Sequence, residues 1–398
     1  TWRTIFSRAA VTTRVLGAVN TFKNDTASGA NLDRGEDRQA AARTDAVMTL
    51  GRGIDLEAGA QADWTGETRT RHRFSSAINT YRVINDYEGD ATRSGGYADL
   101  RVTRSRFTLV PGARFDHWTL TGETTASPWA QAEWRLSSSF TARGGAGVYR
   151  QFPDFEQVIG TLGTPGATAE RARQYDLGIE QRVGDAARWQ ITVYDREENG
   201  FFRRIGSETR LVNGRVVRGI STSPYRASLD GYARGVELLV QRKSPNGLAG
   251  WVAYSYGRNR YRDRITRETF WGDQDQRHTL NLYVFYRKSD RASFSAKLRA
   301  GSNIPAPGYF TERNGSYFVS DTRNDVRLPY YSRIDLRANR TYAWSSRRLT
   351  LFAEVMNVLN RDNVRFNPPG TNARTGAVGN PFEKMIPIVP SVGILIEF

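Results

Sequence analysis

Cysteine is missing from all 398 residues, which excludes a disulfide framework and any thiolate metal site. Long apolar runs are missing too. Hydrophobic residues amount to 39%, and nowhere do they gather into the roughly 18 consecutive positions of a membrane-spanning helix. Histidine is rare: His72, His117 and His278 stand alone, with no HExxH motif and no pair at metal-ligand spacing. No GxSxG elbow, P-loop or dinucleotide fingerprint occurs. Adjacent carboxylates such as Glu197 and Glu198 have no Ser–His or Asp–His company. An enzyme is therefore not expected, and the sequence nominates no catalytic residue, metal or cofactor.

Lysine is scarce as well, with only Lys23, Lys243, Lys288, Lys297 and Lys384. The net charge of +16 is thus carried by arginine, spread among acids and aromatics rather than gathered in a tail. A phosphate-binding face and the polar interior of a barrel both accommodate such a spread. A soluble basic β protein that binds nucleic acid is one rival, but its many outward Leu, Ile and Val would aggregate in water. No nucleic-acid partner is expected. The chain begins TWRTIFSR, already strand-like and without initiator Met or signal peptide, and is expected to be part of a longer exported protein.

What the sequence does have is alternation. In Arg333–Tyr342, Ile334, Leu336 and Ala338 interleave with Arg333, Asp335, Arg337 and Asn339. Leu349, Leu351, Ala353 and Val355 interleave with Thr350, Phe352 and Glu354, and Leu280, Leu282 and Val284 with Thr279, Asn281 and Tyr283. A period of two puts one set on each face of a strand. Charges such as Asp335, Arg337 and Glu354 are costly against lipid, so they are expected in a wet lumen. The final IVPSVGILIEF ends on an aromatic, with Val392, Ile394, Ile396 and Phe398 on one face.

Connections alternate in length. Tight links are expected at Gly51–Gly53, Thr103–Arg106, Ser137–Ser139, Gly184–Ala187, Lys243–Gly247, Lys288–Arg291 and Trp344–Arg347, where turn formers cluster. Between them, polar segments at about 24–41, 65–93, 151–172, 200–229, 261–273, 304–328 and 361–387 are expected as long loops. About seventeen strands follow. If Phe398 ends in the periplasm, every long loop lies outside and every tight turn inside, as in an up-and-down transmembrane barrel. An odd number does not close an ordinary bacterial barrel, so residues 1–398 are expected to form one partial barrel domain.

Several segments resemble the barrel of TonB-dependent receptors, the active transporters of Gram-negative outer membranes. The most specific is Tyr331–Asn363, with RIDLR at Arg333–Arg337 and LTLFAEVMNVLN at Leu349–Asn360; GDQDQRHTLN at Gly272–Asn281, LDGYARGVELLVQR at Leu229–Arg242 and FPDFEQVIG at Phe152–Gly160 are also similar. The resemblance implies an all-β, antiparallel barrel of about 22 strands in the bacterial outer membrane. It also implies a plug domain that these residues do not contain, TonB as partner through that plug, and uptake of a scarce small molecule such as a siderophore, cobalamin or carbohydrate. Outer-membrane lipid and the barrel-assembly machinery are the further implied partners, the latter reading Ile394, Ile396 and Phe398. A passive porin or adhesion barrel is the alternative.

Binding is expected in the long loops. Phe201, Phe202, Arg203 and Arg204 form one aromatic–basic cluster, Tyr261 and Trp271 mark a second, and Tyr309 and Phe310 a third. Such clusters suit sugars, aryl chelates or acidic ligands, or equally hold loops against one another. Arg277 and His278, in DQDQRH, are expected in the upper lumen with Asp335, Arg337 and Glu354, either on an anionic solute or in ion pairs between strands.

Overall fold

Alternation of apolar and polar side chains builds one large sheet. The computed structural model describes residues 1–398 except Ser76, Ala77, Pro245 and Ser346. Its wall strands are β1 (Trp2–Ile5), β2 (Ala9–Asp25), β3 (Asn31–Gly51), β4 (Ile54–Ser75), β5 (Thr80–Arg104), β6 (Phe107–Trp118), β7 (Glu123–Arg135), β8 (Phe140–Gln151) and β9 (Glu170–Val183). They continue with β10 (Ala187–Arg204), β11 (Tyr225–Arg242), β12 (Gly247–Asp263), β13 (His278–Ser289), β14 (Ala292–Gly301), β15 (Tyr331–Trp344), β16 (Arg347–Met356) and β17 (Val389–Glu397). Each pairs antiparallel with its neighbours in sequence, the meander expected from the alternation. A short extra strand, Thr269–Trp271, adds to the tip of β12.

The register sorts side chains as the sequence indicates. Val240, Val252, Leu282, Leu298 and Ile334 stand in one row across five strands. Their neighbours one residue away include Asn281, Lys297, Arg299, Arg333 and Asp335 on the opposite face. The apolar face is exposed at many large residues, Val392 and Phe398 among them, and water would not tolerate so broad a greasy surface. On the other face the charges pair along and across the strands. Arg143 lies 3.1 Å from both Glu133 and Glu180, and Arg14 and Arg43 lie 2.7 and 2.8 Å from Asp45. Arg333 lies 2.6 Å from Asp335, and Arg337 3.3 Å from Glu354. This face is the lumen.

Tight turns close one rim. Gly53 and Gly184 take positive φ of 75° and 59°, which glycine adopts without steric cost. The expected links at Lys243–Gly247 and Trp344–Arg347 include Pro245 and Ser346, which lie outside the described residues.

The opposite rim departs from expectation. Residues 31–41, 65–75 and 80–93, expected as loop, are strand: β2 to β5 continue as a tall sheet well past the greasy band. Both faces are wet there, so no period-two signal remains in the sequence. Likewise β10 to β12 reach Arg204, Tyr225 and Asp263, shortening the loops placed at 200–229 and 261–273.

Candidate functional site

Two structures fill the loop-bearing mouth. The first is the 152–169 segment between β8 and β9. Its single turn of helix, Phe155–Val158, starts with a capping box in which the Gln157 side chain accepts from Asp154 N–H at 2.8 Å. Rather than extending outward, the segment folds onto the inner wall. Phe152 and Phe155 pack on Trp118, with centroids 5.5 and 5.9 Å away, alongside Tyr87 and Ala91. Polar ties fix it, among them Thr161 N–H donating to Asn85 Oδ1 at 3.0 Å, Ala169 N–H to Glu123 Oε2 at 2.7 Å, and Tyr225 N–H to Leu162 O at 2.9 Å. The FPDFEQVIG motif is thus an inward latch. Beneath it lies a pocket of 460 Å³ lined by Glu67, Arg69, Tyr87, Arg93, Trp118 and Glu156. Burial pushes the Glu67 carboxyl above its usual range, although Tyr87 donates to it.

The second is a canopy made of the 205–224, 264–277 and 302–330 connections. At its centre the Phe270 ring sits between two guanidiniums, Arg203 at 4.8 Å and Arg323 at 5.0 Å. Arg203 donates to Asp263 Oδ2 and Glu268 Oε2, each at 3.2 Å, and to the Tyr309 hydroxyl at 2.7 Å; Tyr309 in turn donates to Glu268 at 2.7 Å. Arg323 donates to Glu208 at 2.9 Å and to Asp273. Asp263 is wholly buried and Tyr309 is 2% exposed, so these charges are locked into structure. Partial burial pushes the Asp273 carboxyl up, yet Arg323, by hydrogen bond and charge, and Asn324 together hold it below its ordinary range.

Below this network opens a cavity of 590 Å³ lined by Phe201, Phe202, Arg203, Arg204, Tyr225, Tyr261, Phe270 and Arg323, together with the carboxylates Glu208 and Asp273. Tyr261 donates to Glu198 Oε2 at 2.7 Å and lies 6.2 Å from the Phe201 ring. The cavity presents aromatic faces and arginine side chains, groups suited to stacking and cation–π contact.

The structure brings Phe201, Phe202, Arg203, Arg204 and Tyr261 to one cavity wall, with Tyr309 behind it as a brace. Two others go elsewhere. Trp271 is stacked between Arg260 at 5.0 Å and Arg277 at 4.5 Å. Phe310 faces Phe366 at 6.3 Å in a small cluster around Ala306, Val326 and Leu328. His278 corrects the expectation of a lumen position: it stands in register with Tyr256 and on the face of Leu280, and its Nδ1 is 2.8 Å from the Tyr254 hydroxyl. Parity in HTLNL already places it with the leucines. Tyr225, Glu208 and Arg323 escape sequence reading, since they sit in polar stretches without pattern and are placed only by tertiary packing.

Comparison with known proteins agrees with this architecture. The family model described as TonB dependent receptor-like, beta-barrel matches residues 2–358. No curated protein matches the sequence. Among solved structures, the FpvAI–pyocin S2 complex superposes with a TM-score of 0.69 at 12% identity, over 99% of this chain and 56% of that one. The ferric enterobactin receptor PfeA of Pseudomonas aeruginosa gives 0.68 at 16%, over 99% and 60%. The FrpB iron transporter of Neisseria meningitidis gives 0.67 at 13%, over 97% and 59%. At these identities the likeness is one of fold, and this chain spans less than two thirds of each of them.

Proposed function

Because this chain belongs to the TonB-dependent receptor family of Gram-negative outer-membrane β-barrels, we propose that it is the barrel portion of a receptor that captures a scarce solute and passes it inward. The observation that carries this is the mouth: a 590 Å³ cavity with stacked aromatics and arginine edges, opening over a charged lumen. The solute class it suits is a compact anionic or aryl compound, metal chelates included. The likeness to structures described as a ferric enterobactin receptor and an iron transporter supports that choice of class. Energy would come from TonB acting on a plug domain, which these residues do not encode. Ile394, Ile396 and Phe398 supply the assembly signal in this reading.

Growth on ferric chelates under iron limitation tests it, in cells lacking other receptors. The parent protein is expected to support growth on at least one chelate only while the proton-motive force is intact. Removing 205–224 is expected to abolish that growth while leaving the folded barrel in the membrane. Growth that persists with the force collapsed would point to passive diffusion instead.

A further inference from the structure

The ladder that β10 forms with its neighbours is irregular near the mouth. Asn199 stands opposite Arg171 of β9 and Asp230 of β11, and the next residue in register is Phe201, opposite Leu229. Gly200 is thus an extra residue, a bulge in β10 with a φ of 78° that glycine takes without strain. Its N–H donates to the Asp230 carboxylate, with Oδ1 accepting at 3.1 Å. The other carboxylate oxygen, Oδ2, lies 3.4 Å from Arg264 Nε, which holds the group in place.

An asparagine followed by glycine can close its side chain onto the next backbone nitrogen, since glycine has no Cβ to obstruct the ring. At Asn199 both atoms that would join are held by charged groups. Arg171 Nη2 donates to Asn199 Oδ1 at 3.1 Å, where a guanidinium stabilises the negative charge that builds on that oxygen during attack. Asp230 is the carboxylate at the Gly200 N–H, placed to take its proton. Beyond its chain neighbours, no atom lies within 4 Å of where a Gly200 Cβ would stand, so nothing crowds the glycine. Asn213–Gly214 and Asn314–Gly315 have the same two residues in exposed hairpin turns, without such charged partners among the described residues.

We propose that Asn199 is a self-modifying site, its side-chain amide converted to a carboxylate by the action of Asp230 and Arg171. Gly200 N attacks Asn199 Cγ as Asp230 takes the proton from that nitrogen. The same proton passes to the side-chain nitrogen, the Cγ–Nδ2 bond breaks, and ammonia leaves. Water then opens the succinimide at either carbonyl, giving aspartate or isoaspartate at position 199 with no other co-reactant. Aspartate turns the hydrogen bond from Arg171 into an ion pair. Isoaspartate lengthens the backbone by one carbon just ahead of Phe201 and Phe202, which line the mouth cavity. The reaction uses only the chain and water, so it stands or falls separately from any solute carried through the lumen.

The test follows the full-length protein over time in detergent at neutral pH. Peptide mapping by mass spectrometry, with chromatography to separate aspartate from isoaspartate, reads each Asn–Gly pair. Asn199 is expected to convert faster in the folded protein than in the same protein unfolded in urea, the reverse of the protection a strand ordinarily gives. Asp230→Asn and Arg171→Gln are each expected to slow conversion at position 199 by at least about tenfold, with the rate at Asn213 unchanged. Conversion no faster in the folded protein overturns the proposal, as does a rate indifferent to both substitutions; the two contacts would then only pin the bulge. Should either variant lose its heat-modifiable migration, the comparison of folded with unfolded wild type decides alone.

Discussion

Phe270 owes its position to two arginines, and each arginine has acidic partners on its far side. Removing Arg323 would leave Glu208 and Asp273 without their cation. Arg323→Ala is therefore expected to loosen the canopy by about 2 kcal/mol, less than a fully buried pair because Asp273 is partly exposed. Amide exchange over 205–224 and 302–330 should quicken while β13 to β16 stay protected; unchanged exchange would remove the clamp from the account. Acid acts through the same groups. Asp273 is depressed in the folded state, so its contribution is complete above the ordinary aspartate value and lost as pH falls through the folded one. Glu170 is the reverse: burial raises it, so it costs stability at neutral pH and that cost vanishes as pH drops through the raised value. Glu170→Gln, which keeps an acceptor for the Phe202 N–H, should slow proteolysis of 152–169 at neutral pH and make no difference once both forms are uncharged. A variant effect independent of pH would contradict this.

Among the elements, the latch depends on Trp118. Trp118→Ala removes the ring against which Phe152 and Phe155 pack, a large-to-small change that typically costs about 3–5 kcal/mol. The expected result is rapid protease cutting within 152–169 with the wall intact. At this scale the sequence was legible only in part. Wall strands such as β15 and β16 could be read because one face meets lipid and the other water. The upper halves of β3, β4 and β5 could not, because Glu36, Thr68 and Glu88 on one face and Arg69 and Tyr87 on the other are all compatible with solvent. The three aromatic–basic clusters were visible as compositions. That Arg203, Phe270 and Tyr309 would meet, while Trp271 and Phe310 would not, depended on contacts more than a hundred residues apart in one case.

For the molecule as a whole, the decisive property is which face each residue takes. Leu298 shares its row with Leu282 and Ile334 on the outer wall, and Ser295 lies on the lumen side beside Arg337. Leu298→Arg is expected to cost about 2–4 kcal/mol at the bilayer midplane, and Ser295→Arg far less. The measurement is the fraction of protein with heat-modifiable migration in isolated outer membranes. A larger loss for Ser295→Arg than for Leu298→Arg would mean that the faces are assigned the wrong way round, and equal fractions that the two faces do not differ in this way.

Phe202 belongs to both occupants of the mouth. Its ring packs against the latch cluster and lines the canopy cavity, and its backbone amide donates to Glu170. Its chain neighbour Arg203 is the canopy's anchor. Moving this one ring would therefore disturb the packing of both at once.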